Sequence, residues 1–347
     1  MSEEPLVAVT MGDPAGVGPE VTLKAIQREE VWRAARPIVI GDARVLDEVS
    51  ERLGLATQID SLGDVEEASF ENHRVQVLDL ANVELEDLKP GQVSTMCGHA
   101  SVAYIDKALD LALSGTVSAM ATGPINKSAL QAAGYPFRGH TELLAKRCKS
   151  AHVAMMLVTP GRGETPMWLR VAHVTTHIAL AQVPGTLSQA RILKTIELSA
   201  QGLQQLGIDR PRLALAALNP HASDEGLMGV EESSLLHPVI ETARKKGFDL
   251  TGPIPADTVF LRHMQGEFDG VIALYHDQGH IAVKTHGFDR AVNITLGLPV
   301  VRTSVDHGTA FDIAWQGVAK EDSLVEAIRL ASQLERGSRQ RGEKYVA

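Results

Sequence analysis

Strand-like and helix-like segments alternate along this chain, and that alternation limits its fold more than any other feature. A β-rich run at residues 6–10 feeds the glycine turn Met11-Gly12-Asp13-Pro14-Ala15-Gly16. A helix then opens at Gly18-Pro19-Glu20, with Val21, Leu23, Ala25 and Ile26 apolar. A buried strand at 37–41 is followed by a helix at 43–53, and a helix at 98–114 by a strand at 117–122. Residues 56–92 are polar and irregular apart from a strand-like run at 75–80. Strands at 153–159 and 167–174 flank a polar turn at 160–165. A helix at 187–206, a strand at 213–218, a helix at 231–247, a polar turn at 253–258 and a strand at 271–275 follow. An amphipathic helix at 323–335 and a charged tail end the chain. Such alternation packs helices on a largely parallel sheet, so the expected class is α/β. No repeat, low-complexity block or linker interrupts the 347 residues. That predicts one unit over 1–347 built of two interleaved α/β subdomains.

The charge balance narrows the partners. A net charge of −10 argues against nucleic acid, which needs a basic face, but leaves room for a small anion met by a few local cations. No apolar run approaches a membrane span. The acidic start MSEEPLVAVT reaches a strand at once and is no secretory signal. Two cysteines, Cys97 and Cys148, make no disulfide framework. The expectation is a cytoplasmic protein with no membrane partner.

Chemistry concentrates in residues 275–312, YHDQGHIAVKTHGFDRAVNITLGLPVVRTSVDHGTAFD, where polar clusters alternate with glycines and β-branched runs. It offers imidazole and carboxylate for a metal, Lys and Arg for an anion, and a glycine loop for a cofactor. His177, His221 and His276 each follow a strand, where ligands converge at carboxyl ends, with Asp257 and Asp277 nearby. Imidazole suits zinc, cobalt or nickel, whereas magnesium prefers carboxylates. In His173-Val-Thr-Thr-His177, positions four apart share a strand face. His276-Asp-Gln-Gly-His280 resembles H-E-x-x-H with Asp for Glu, but that motif needs a helix, and Gly279 just past a strand argues against one. Lys284, Asn293 and Arg302 recur on strand-like segments as donors for phosphate or carboxylate. His140-Thr141 opens a helix where a ligand oxygen is welcome. Lys127, at another strand-to-helix turn, either meets an anion or is solvated. The turn at 11–18 has the spacing of neither G-x-G-x-x-G nor a P-loop, so it is a phosphate-facing turn or a plain helix entry.

MGDPAGVGPE, TGPINK, GHTE, NPHA, PADT, YHDQGH and RTSVDHGTAFDIA, in this order, together resemble the 4-hydroxythreonine-4-phosphate dehydrogenase family of vitamin B6 synthesis. HGTAFDIA is also similar to the loop that holds the adenosine of NAD in isocitrate and isopropylmalate dehydrogenases. The resemblance implies an isocitrate/isopropylmalate-dehydrogenase-like fold, a homodimer with shared active sites, and one divalent ion (zinc, cobalt, magnesium or manganese) between subunits. By matching motif, the metal ligands would be His177, His221 and, from the second subunit, His276. Substrate contacts would be His140, Thr141, Lys284, Asn293 and Arg302, and NAD or NADP would meet His307, Gly308, Thr309 and Asp312. The implied reaction oxidises the C3 alcohol of a 4-phosphorylated hydroxy acid, and the 3-oxo acid then loses CO₂. Lys127, Asp257 and Asp277 stand as candidates for moving the proton. His280, where the B6 enzymes carry Leu, is similar to the branch acting on 4-phospho-D-threonate or 4-phospho-D-erythronate. A metal-dependent phosphatase and a non-catalytic binder of phosphorylated metabolites are the rival classes, and either should lack the HGTAFDIA loop.

Overall fold

The computed structural model describes residues 4–137, 139–161 and 167–342. Two compact units divide the chain: Met1–Ser150 with Leu298–Ala347, and Ala151–Gly297. In chain order the first unit carries β1 (Leu6–Thr10), α1 (Gly18–Ile26), α2 (Glu29–Ala34), β2 (Arg36–Gly41), α3 (Ala43–Leu53), β3 (Ile59–Leu62), β4 (Val75–Asp79), α4 (Thr95–Leu113), β5 (Ala119–Thr122), α5 (Lys127–Ala132) and α6 (His140–Arg147). The second carries β6 (Ala154–Thr159), β7 (Leu169–His173), α7 (Val183–Thr186), α8 (Gln189–Gln205), β8 (Arg212–Ala216), α9 (His237–Lys245), β9 (Asp249–Ile254), α10 (Ala256–Met264), β10 (Gly270–Ala273), α11 (His276–Gly287) and β11 (Val292–Leu296). The chain then returns to the first unit with β12 (Arg302–Val305) and α12 (Asp322–Gln340).

The strands of the first unit lie in the order β3-β4-β2-β1-β5-β12, every neighbour parallel. Parallel strands are buried on both faces, which is why β1 and β2 read as unbroken apolar runs. From β1 the chain builds one side of the sheet through β2 and later the other side through β5. The edge between β1 and β5 is therefore a topological switch point, where loops leaving the strand carboxyl ends open a crevice. α12 lays Leu324, Ile328, Ala331 and Leu334 into the core, and Thr303 Oγ1 donates to the Ala327 carbonyl at 2.7 Å. α3 forms at the bounds the sequence predicts, with the Asp42 side chain accepting from Arg44 N at its start and Gly54 left-handed (φ 64°) at its end.

In the second unit the order is β11-β6-β7-β10-β8-β9. β6 runs antiparallel to both β7 and β11, while β7, β10, β8 and β9 are mutually parallel. Leu157, Val171, Ala214, Val259, Val271 and Val283 fill its core.

Two local readings need correction. β3, four half-exposed residues in the region read as irregular, has too little apolar patterning to announce itself. Residues 253–258, read as a turn, split between the end of β9 and the start of α10. A Gly-Pro pair is tolerated in β9 because it is an edge strand, pairing with β8. The helix expected at 231–247 enters through a π-helical turn, Glu232–Leu236, before α9. Of the turn at 160–165, residues 162–165 lie outside the described residues, as do the last five of the tail. Among the described residues no helix is long and apolar enough to cross a membrane.

Candidate functional site

In the first unit, three loops leave the carboxyl ends of the adjacent strands β1, β5 and β12 and lock together. Asp13 N donates to the Pro124 carbonyl at 2.8 Å, and Val17 N to the Thr309 carbonyl at 3.0 Å. Asn126 caps α5 through Ala129 N (3.0 Å) and reaches Thr309 Oγ1 at 3.3 Å. Gly16 permits this closeness, since a Cβ there would stand 2.9 Å from both Cβ and the carbonyl oxygen of Thr309. Glu20, fully buried, accepts from Lys24 Nζ (2.7 Å), Gly317 N (3.1 Å) and Ala319 N (2.9 Å), while Trp315 Nε1 donates to the Pro14 carbonyl at 3.2 Å. MGDPAGVGPE is thus more than an entry to a helix: it pins the segment that carries His307, Gly308, Thr309 and Asp312. Thr309 is buried. Gly308 is exposed with open space where a Cβ would stand, so a ligand can approach its backbone. His307 Nδ1 lies 2.9 Å from the Gly308 carbonyl, and Asp312 is exposed in the turn Phe311–Ile313. Lys127 is exposed at the first position of α5. Asp13 is a group the sequence reading did not single out. Burial pushes its carboxyl up to about 6, against the Ala15 N–H it accepts at 2.9 Å.

The same unit brings His140 and Arg302 together. Arg302 opens β12, only 1% exposed, and donates from Nη2 to Thr122 Oγ1 at 2.6 Å. Burial pulls its guanidinium down to about 9. His140 begins α6, with half-buried Thr141 beside it. Burial, then the positive charge of Arg302, push its imidazole well below the usual histidine range, so it is neutral at physiological pH. Its Nε2 is buried with no hydrogen-bond partner among the described residues. A buried cation, a neutral imidazole and a helix amino end make a setting for an anion.

In the second unit, the parallel strands β7, β10 and β8 lie side by side, and the segments leaving their carboxyl ends carry His177, His276 and His221 respectively. Adjacent parallel strands turn three distant sequence positions toward one edge. The rings of His177 and His276 are 5.6 Å apart between centroids. His276 Nδ1 lies 2.6 Å from Asp277 Oδ1, and a carboxylate only accepts, so the proton sits on Nδ1. His221 stands in a run of left-handed residues, His221–Glu225, a strained conformation for residues with side chains. Buried Glu232 secures that turn, accepting from Leu218 N, Asn219 N and Asn219 Nδ2 at 2.8–2.9 Å. Among the described residues no three His, Cys, Asp or Glu side chains gather closely enough to hold an ion. Asp257 is exposed in the first turn of α10.

The segment HDQGH is a helix, contrary to the reading of Gly279 as a breaker. α11 runs His276–Gly287 because Gln278 anchors its first turn: Leu274 N donates to Gln278 Oε1, and Gln278 Nε2 donates to the Ala217 carbonyl, each at 2.7 Å. Gly279 serves packing, since a Cβ there would lie 2.8 Å from Val171 Cγ1 and closer still to His173 Nε2. Lys284 is correspondingly helical rather than on a strand, two turns beyond His276, with Nζ 5.3 Å from the Phe288 ring centroid. Asn293 does lie on a strand, β11, and its Oδ1 is buried without a hydrogen-bond partner among the described residues. His173 and His280 join the cluster. Burial above all holds them down at about 3 and about 4, so both are neutral. Only the spacing of His173 and His280 from the metal-type histidines hinted at them, and Glu232 gave no local signal.

Residues 33–331 match the family model described as pyridoxal phosphate biosynthetic protein PdxA. D-threonate 4-phosphate dehydrogenase of Salmonella typhimurium is 45% identical over 334 residues, covering 96% of this chain and 99% of that one. The protein of the same name from Cupriavidus necator is 44% identical over 331 residues, covering 95% and 97%. The crystal structure of 4-hydroxythreonine-4-phosphate dehydrogenase from Klebsiella pneumoniae superposes with a TM-score of 0.86 at 42% identity, covering 96% and 99%. Relatives of this kind set aside the phosphatase and the passive binder: the chain belongs to the PdxA family and is a dehydrogenase.

Proposed function

We propose that the chain oxidises the C3 alcohol of a 4-phosphorylated threonate-type acid, using NAD or NADP and a divalent ion, and that the 3-oxo acid then loses CO₂. The observation that carries the metal part is that β7, β10 and β8 present His177, His276 and His221 at one sheet edge. There His177 and His221 of one copy can be completed by His276 of a second copy rather than by their own, since no three such side chains gather within the described residues of one chain. The donor set fits. With its proton on Nδ1 facing Asp277, His276 has Nε2 left to bind an ion such as zinc or cobalt, and Asp277 orients the ring in the way outer carboxylates do. His177 and His221 would be the other ligands, with His276 supplied by the second copy in a homodimer. The nicotinamide part rests on the pinned 307–319 segment at the switch point, with the open backbone of Gly308, beside His307, Thr309 and Asp312, as the cradle. When bound, the cofactor accepts hydride and the ion supplies Lewis acidity toward an alcohol and a β-keto carboxylate.

The chain's own residues do the rest. Buried Arg302 offers a charge-assisted bond to phosphate or carboxylate, and Thr141, Lys284 and Asn293 add donors. His140, neutral, can hold a substrate oxygen through Nε2 without adding charge. The C3 hydrogen leaves with its electron pair and the hydroxyl proton passes to a base. When CO₂ departs, the pair left on C2 takes up a proton. Lys127 and Asp257, both exposed in first helical turns, are the candidates for these transfers, since Asp277 is engaged with His276. The relatives' shared name favours D-threonate 4-phosphate over the amino-bearing substrate. The test is a panel of both acids and 4-phospho-D-erythronate, each with NAD and NADP and with zinc, cobalt, magnesium or manganese restored to metal-stripped protein. Reduced nicotinamide should form with D-threonate 4-phosphate, and none with any combination would overturn the proposal.

A further inference from the structure

We propose that His280 and His173 position the ring of His276, so that one metal-type imidazole is oriented by two further histidines. This rests on the metal reading above. His280 lies one turn beyond His276 on α11, and the two rings stack with centroids 3.6 Å apart and planes 13° from parallel. Face contact prevents His276 from rotating about its χ angles, while Asp277 holds its edge through Nδ1.

His280 is itself fixed. Its Nδ1 lies 3.0 Å from the His276 carbonyl and 3.1 Å from His173 Nε2. A carbonyl only accepts, so His280 carries its proton on Nδ1, and His173 meets it with the lone pair of Nε2. His173 ends β7, 2% exposed, its ring seated against the bare backbone of Gly279. The order of support runs from strand to His173, to His280, to His276. An apolar side chain at 280 would fill the space with less desolvation cost but would offer neither a flat face nor a donor for His173. Neither histidine needs to touch the ion or the substrate for this role; both are positioning residues.

The experiment titrates metal-stripped wild type, His276→Ala, His280→Leu, His280→Phe and His173→Leu with Co²⁺. It reads affinity by chelator competition and geometry by the visible cobalt spectrum. His280→Leu and His173→Leu should each weaken Co²⁺ binding roughly 10- to 100-fold, as loss of an outer-shell partner does, and shift the cobalt bands. His280→Phe, which keeps a flat ring over His276 but no donor, should fall between wild type and His280→Leu. Folded His280→Leu with wild-type affinity and spectrum would overturn the proposal. If that variant does not fold, wild-type behaviour of His173→Leu or His280→Phe in both readouts would do the same. A wild type that binds no Co²⁺, or a His276→Ala as tight as wild type, would instead bring down the metal reading and this inference with it.

Discussion

Gly279→Ala tests the packing of α11 on β7 with two effects of opposite sign. In a helix interior, alanine in place of glycine stabilises by about 1 kcal/mol through chain entropy. Here the new Cβ would stand 2.8 Å from Val171 Cγ1 and 2.9 Å from His173 Cε1, and closer still to Nε2 of that ring. Neither neighbour has room to yield. Val171 sits mid-strand between Leu157 on β6 and Val271 on β10, and the His173 ring is held at 3.1 Å by His280. Overpacking of this kind costs about 1–3 kcal/mol, and displacing the His173 ring breaks an interaction of about 1 kcal/mol. The sum is a net loss of about 1–3 kcal/mol, so packing wins over propensity. Urea denaturation followed by circular dichroism should show it. Gly202→Ala is the comparison: it too lies inside a helix, α8, but its Cβ would meet the flexible end of Leu296, so its loss should be smaller. A Gly279→Ala protein as stable as wild type, or more so, would refute the argument.

Arg302→Ala should raise KM for the phosphorylated acid far more than for the nicotinamide, by a charge-assisted bond of about 1.5–3 kcal/mol, or roughly 10- to 150-fold; steady-state kinetics with each substrate varied would show the reverse if the assignment is wrong. On the proposed two-fold dimer with shared sites, mixing inactive His177→Ala and His276→Ala should restore roughly a quarter of the sites after random re-association, whereas His177→Ala with His221→Ala should restore none. Equal recovery in both mixtures, or none in confirmed heterodimers, would reject a shared site. His263, fully buried in α10, is held down to about 4 by burial, against an ordinary 6.5 when unfolded. A lowered histidine stabilises fully above pH 6.5 and loses that contribution as pH falls toward 4, about 2 kcal/mol by pH 5. The acid-side loss in urea midpoint between pH 7 and pH 5 should therefore be smaller in His263→Gln than in wild type, and an equal loss would reject this source.

What the sequence determined by itself were features carried by local signals. Apolar and β-rich runs marked β1, β2 and β10 as strands, β2 as a buried one, and their alternation with helices marked the sheet as largely parallel. Asp42 and Gly54 bracketed α3. The turns after strands singled out His177, His221 and His276 as candidates, because strand ends sit beside recognisable glycine and proline punctuation, whereas the 307–312 loop was legible through its resemblance to a known cofactor loop. Features whose cause lies far along the chain were decided only by the tertiary structure. Gly279 reads as a helix breaker until β7, more than a hundred residues earlier in the chain, is seen pressing His173 and Val171 against it. Arg302 looks like any strand-end cation until burial and His140 give it an environment. The duties of Glu20, Glu232 and Gln278 follow from backbone groups brought to them by folding. Even the division of the chain depended on which strands pair, since the first unit is completed only when β12 returns beside β5. Periodicity and turn chemistry are properties of neighbouring residues and can be read in one dimension; burial, packing and hydrogen-bond partners join residues distant along the chain, and only the folded chain brings them together.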